Sequence, residues 1–196
     1  LFFSTSLRVY HAIVFLAADD PDGAQADLEE ALHTWRPDQD DFQLPEAWAL
    51  FSRAEILLYR GAADQRETLA PLYRALSRSL LDHINWVRVR RDHCQVRLCL
   101  AHAAMSDGPA RKRALRDARR WLSRLRRQGS PSALAWASLS EAALLHLCGD
   151  EAASHAALRT AIRLTSALDL GIHLVRRFWG PAAAESIGAQ MEYRAL

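Results

Sequence analysis

The chain has 196 residues, half of them apolar, 24% charged and 8% aromatic, with 25 basic against 23 acidic side chains. That balance excludes a disordered tail and fits a chain that buries a real core, as one domain or a short array of repeats. Alanine and leucine supply 35 and 30 residues, all strong helix formers, while 8 Gly and 7 Pro are too few for the turns of a sandwich or barrel.

Of the basic residues, 24 are Arg and one is Lys112, a usage that points to a GC-rich bacterial genome. Cys94, Cys99 and Cys148 are odd in number and scattered. They make no disulfide framework, so a reducing cytoplasm is the expected location. Charge interrupts every apolar stretch before about 18 residues, so no membrane span is expected. Leu1-Phe2-Phe3 has neither Met nor the basic start of a signal peptide and reads as a cut inside a longer polypeptide.

Helix punctuation is regular along the chain. Asp20-Pro21, Leu44-Pro45, Ser130-Pro131 and Gly180-Pro181 place proline at helix starts. Gly61, Gly129, Gly149 and Gly171 stand where helices stop or restart. Between them apolar residues recur at three and four, as in Ala114, Ala118, Trp121, Leu122 and Leu125. These marks predict helices over about 3–18, 21–36, 45–60, 63–82, 84–106, 108–128, 131–148, 150–168, 171–179 and 181–195. Pro71 should kink or split the fourth. The acidic stretch from Pro37 to Leu44, with Asp38, Asp40 and Asp41, is the one long connection.

The helices pair. Ala142, Leu145, the Gly149-Asp150 turn, Ser154, Leu158 and Ala161 follow the small–large–small template of a tetratricopeptide-type pair. Ala12, Phe15, Asp19-Asp20, Ala24, Leu28 and Ala31 repeat it, and Ala54, Leu57 and Gly61 repeat its first half. Leu98 is the weakest match. The crossing residues Ala12, Ala54, Leu98 and Ala142 are 42, 44 and 44 apart, longer than the usual period of about 34. The expected fold is an all-α, TPR-like α-solenoid of about four long helix pairs of 42–44 residues plus two terminal helices. It forms a single domain over 1–196, with pairs at 3–36, 45–82, 84–128 and 131–168 and terminal helices over 171–195. An irregular helical bundle is the alternative.

The order of motifs carries a resemblance. Phe42 to Leu58 reads FQLPEAWALFSRAEILL, followed by Tyr59-Arg60-Gly61, then LSRSLL from Leu76 to Leu81 and a long Arg-bearing helix. Ala118-Arg119-Arg120, Gly149-Asp150, Leu170-Gly171-Ile172 and Arg176-Arg177 complete the succession. It resembles the C-terminal helical-repeat region of large bacterial serine/threonine protein kinases that carry an AAA-like or STAND-type ATPase domain. It is also similar to repeats of large ATP-binding transcription regulators. The resemblance implies a non-catalytic, cytoplasmic part of a signalling protein, with no cofactor of its own. The kinase parts, the glycine-rich loop, His-Arg-Asp and Asp-Phe-Gly, do not occur, nor does GxxxxGK[ST].

Other chemistries find little support. His93, Cys94, Cys99 and His102 are the one group of metal-ligand type. Cys94 lies five residues before Cys99 and faces elsewhere on the helix, so buried small hydrophobes explain both thiols. No strand–turn–helix elbow presents a nucleophile. The expectation is therefore no metal and no enzyme in this chain.

Two binding surfaces are expected. In a tetratricopeptide-type groove, positions −6, −3, +1, +4 and +5 from the crossing residue of each first helix point inward. That selects Trp48, Phe51, Glu55, Leu58 and Tyr59, then Asp92, Gln95, Cys99, His102 and Ala103, then Trp136, Leu139, Ala143, His146 and Leu147. Aromatic rings beside polar groups suit a protein or peptide partner, or other domains of the same polypeptide. Equally, Trp48 and Trp136 can pack between repeats. The second surface is basic: residues 84–127 hold 13 basic and 3 acidic side chains, against 7 and 14 in residues 1–83. Arg113, Arg116, Arg120, Arg124 and Arg127 follow helical spacing there. They read first as a solvated face, second as an anion- or nucleic-acid-binding module. Charges this dense repel, so some are expected to pair with acids on an adjacent repeat.

Overall fold

The computed structural model describes Arg8 and residues 11–35 and 42–179, with side chains through Thr165. The described residues are helical, with no strand among them, and none of their helices is long and apolar enough to cross a membrane. The acidic residues Asp38, Asp40 and Asp41, the start of the expected first helix and the expected helix at 181–195 lie outside the described residues. The chain divides into two compact units, Leu1–Trp121 and Leu122–Leu196.

The first unit opens with α1 (Ala12–Ala17) and α2 (Pro21–Thr34). Asp20 caps α2 by accepting the Gly23 N–H at 2.7 Å. A Cβ at residue 23 would meet that carboxylate, which would have to turn aside to keep the cap. In α3 (Leu44–Tyr59) the Glu46 carboxylate reaches back to accept the Gln43 N–H at 2.6 Å, one half of a capping box. α3 stops at Gly61, which turns left-handed (φ 64°) and lets the Ala62 N–H close on Leu57 O at 2.9 Å.

Pro71 splits the element expected over 63–82. A 3-10 segment, Ala63–Leu69, leads into α4 (Ala70–Arg78), which carries Pro71 in its first turn, where a missing N–H costs nothing. A second 3-10 turn, Leu80–His83, precedes α5 (Asn85–Met105). The last element is α6 (Gly108–Arg127), within which the division between the units falls.

Two buried clusters hold this unit. Leu50, Phe51 and Ala54 of α3 meet Tyr73 and Leu76 of α4 and Val87, Cys94 and Leu98 of α5. Ala12 of α1 and Ala24, Leu28 and Ala31 of α2 meet Ala49 and Ile56 of α3. Thus α1 packs on α2, both pack on α3, and α3 packs on α5. Alanine at these contacts lets the backbones approach, and Leu98 fills the space beside them. Ala12, Ala31, Ala54 and Leu98 are all 3% exposed or less.

In the second unit α7 (Pro131–Leu147) packs along α8 (Glu151–Trp179). Gly149 turns left-handed (φ 83°), and Asp150 caps α8 by accepting the Ala153 N–H at 3.1 Å. Across the pair, the buried Ser154 hydroxyl donates to Ala142 O at 2.8 Å. Two expectations change here. Leu158, the large residue of the template, is 40% exposed. The helices expected at 150–168 and 171–179 are one helix running through Gly171. A single glycine costs a helix interior about 1 kcal/mol relative to alanine, too little to end it without a proline or a cap.

Candidate functional site

The polar groups of the first unit gather along α5. Asp92 is fully buried and Arg91 is 3% exposed. Arg91 Nε donates to Asp92 Oδ1 at 3.0 Å, with Nη2 2.9 Å from the same oxygen, and Nη1 donates to Asp82 just before α5. Further along the helix, Arg97 donates to Glu55 Oε1 of α3 at 2.5 Å, and Arg90 stands 3.7 Å from the same oxygen. His93 lies among them. Burial first, then the charges of Arg97 and Arg90, push its pKa down to about 3, so the ring is neutral at physiological pH.

The residues expected to line a groove in this unit are mostly inside it. Trp48 stacks on Trp86 of α5, with ring centroids 4.9 Å apart, and meets Phe51 edge-on at 6.1 Å. Phe51 is 2% exposed and Asp92 is not exposed at all, so neither has surface to offer a partner. Glu55 is spent on Arg97 and Arg90. Tyr59 is exposed and donates to Asp19 Oδ1. His102 is half-buried beside Ser106, and Gln95 borders a small cavity. The offsets identify the right face of α3. They do not foresee that α5 lies directly on it.

In the second unit the same offsets fall on exposed or half-buried positions. Along α7, Trp136 is half-buried, Leu139 is 51% exposed, and Ala143 and His146 are exposed. His146 Nδ1 lies 2.8 Å from Glu151 Oε1 of α8. On α6, Arg113, Arg116, Arg120 and Arg127 are exposed and Arg124 is half-buried. Arg127 donates to Ser123 one turn back, and Arg126 pairs with Glu141 of α7.

Sequence reasoning missed Trp86 and Arg66, and it expected arginines of the basic block to pair with acids on an adjacent repeat without naming Arg90, Arg91 or Arg97. The signal was the contrast between the acidic first block and the basic middle one, which names the sign of the partners but not the pairs. Among the described residues no three His, Cys, Asp or Glu side chains gather as metal ligands. A cleft of about 260 Å³ beside Arg53, Ile56, Leu57 and Leu72 has its second guanidinium, Arg60, engaged by Asp22 and the Pro21 carbonyl. The chain matches no protein-family model, no curated protein and no solved structure.

Proposed function

We propose that this chain is a non-catalytic interaction and regulatory module, built of stacked tetratricopeptide-like helix pairs, that binds a protein segment or other domains of its own polypeptide. The observation that carries the reading is the open row on α7: Trp136, Leu139, Ala143 and His146 share one helix face, and the apolar Leu139 is 51% exposed. A half-buried indole beside an exposed leucine and an imidazole is the makeup of a protein-recognition surface. The succession α1 on α3 on α5 supports the stacked-pair architecture, because first helices of adjacent pairs touch in such arrays. The resemblance in motif order supports reading the parent as a bacterial cytoplasmic signalling kinase or STAND ATPase whose activity the module biases.

A photo-crosslinking residue placed at Leu139 in the full-length parent tests this. Expected is one dominant adduct, to a defined protein or to another domain of the parent. Leu139→Asp then weakens that contact at least about tenfold with the helical signal intact. No adduct from Leu139, or unchanged affinity of the variant, overturns the reading.

A second reading has its own observation. Arg113, Arg116 and Arg120 are exposed, and among the described residues none of them makes an ion pair. They would suit an anionic partner such as nucleic acid. A salt series separates the two: binding through these arginines falls steeply with salt, whereas binding through Leu139 does not.

A further inference from the structure

One cavity in the first unit has a composition that neither packing nor the proposed interaction explains. It measures about 110 Å³ and is bordered by Arg66 of the 3-10 segment, Tyr73 of α4, Gln95 and Cys99 of α5, and Asp117 of α6. That is space for several waters rather than one.

Its charges are incompletely matched. The Arg66 side chain is only 13% exposed, yet no carboxylate oxygen sits at good bonding distance from it. Asp117 Oδ2 is 3.5 Å away and Glu67 Oε1 is 3.6 Å away. A guanidinium this enclosed ordinarily holds a carboxylate at about 2.7–2.9 Å. Its one close contact is Cys99 Sγ at 2.8 Å. Burial pushes the Cys99 thiol up to about 11, so that sulfur is a neutral, weak acceptor. Beside it, Tyr73 is 8% exposed and its buried phenol oxygen has no hydrogen-bond partner. The Gln95 side chain makes no hydrogen bond to another described side chain. A buried polar group left in this state is costly unless something fills the space.

The two signs decide what that is. A lone carboxylate would gain Arg66 but face Asp117 and Glu67. A lone ammonium would gain Asp117 but face Arg66. We infer that the cavity is a binding site for a small zwitterion, a free α-amino acid with a short side chain, whose carboxylate meets Arg66, Tyr73 and Gln95 and whose ammonium meets Asp117. The site is separate from the α7 row and does not rest on it.

Calorimetric or saturation-transfer titration of the 196-residue chain with glycine, alanine and serine tests this, with acetate and methylammonium as half-ligands. Expected is saturable binding of at least one amino acid at or below about 10 mM, with both half-ligands at least about tenfold weaker. Asp117→Asn and Arg66→Gln should each lower the affinity about tenfold or more, and Tyr73→Phe by about fivefold. Tyr73→Phe keeps the packed ring and Asp117 is 37% exposed, so these two variants remain informative should Arg66→Gln unfold. No binding by any of the three amino acids, equal binding of acetate or methylammonium, or unchanged affinity in both Tyr73→Phe and Asp117→Asn would overturn the assignment.

Discussion

Tyr59 at the end of α3 donates its phenol proton to Asp19 Oδ1 at 2.6 Å, and so ties α3 to the turn between α1 and α2 forty residues earlier. The hydrogen bond favours the neutral phenol and raises its pKa. Asp19 is also the one non-glycine residue with positive φ among those described, at 60°. A short polar side chain tolerates that conformation, whereas a β-branched one clashes. Tyr59 is 46% exposed, so water replaces its bond readily. Tyr59→Phe should leave the thermal midpoint nearly unchanged, and Asp19→Val should lower it by about 5 °C. Calorimetric scans of the two variants check the contrast. Equal midpoints would mean that the turn carries no strain.

Asp92, which helix spacing places as a groove contact, is instead the buried partner of Arg91. Removing its charge leaves a guanidinium 3% exposed with only Asp82 to answer it. Asp92→Asn should therefore cost about 3 kcal/mol by urea unfolding. A surface contact would change stability by no more than about 0.5 kcal/mol.

The Trp48–Trp86 stack yields to a double-mutant cycle. Each alanine variant should lose about 3 kcal/mol, and the pair about 1 kcal/mol less than the sum, because the second truncation finds its partner already gone. Strict additivity would remove the stack as a contributor.

His93 gives the first unit a pH dependence of known sign. Its folded pKa, about 3, lies below the unfolded value of 6.5, so between them the unfolded chain binds more protons. The contribution of the neutral ring is fully present above pH 6.5 and is lost as pH falls toward 3. The slope approaches about 1.4 kcal/mol per pH unit. His93→Leu should flatten that part of the profile in denaturant titrations run from pH 7 to pH 4. An unchanged slope would show that carboxylates, not His93, set the acid limit.

Gly171 lies inside α8 rather than between helices. Gly171→Ala should raise stability by about 0.5–1 kcal/mol and add to the far-ultraviolet helical signal. A loss of stability would mean that the backbone there needs glycine.

Helix positions were legible because their signals are local. Asp20-Pro21, Gly61 and Gly149 act through hydrogen bonds within a few residues of themselves. The crossing residues Ala12, Ala54, Leu98 and Ala142 were legible too, since only small or well-placed apolar side chains let helices approach, and all four are buried. Gly171 was misread because the glycine rule describes a tendency of about 1 kcal/mol, which the rest of a long helix overrides, whereas the 40% exposure of Leu158 depends on which face of its helix is covered.

What the sequence by itself determined is the all-helical class, the start and end of most helices and the sign of each charged block. What only the tertiary structure decided is which face each helix covers. Trp48, Phe51 and Asp92 stand at the same offsets as Trp136 and Leu139 on another helix. Phe51 and Asp92 are enclosed where α3 and α5 pack and Trp48 is half-covered there by its stack on Trp86, whereas Leu139 lies on open surface and Trp136 is half-buried. Arg66, Tyr73, Gln95 and Asp117 span 51 residues of sequence and share one cavity. Spacing along one helix encodes a direction, while enclosure depends on a second helix whose position is set by contacts many residues away.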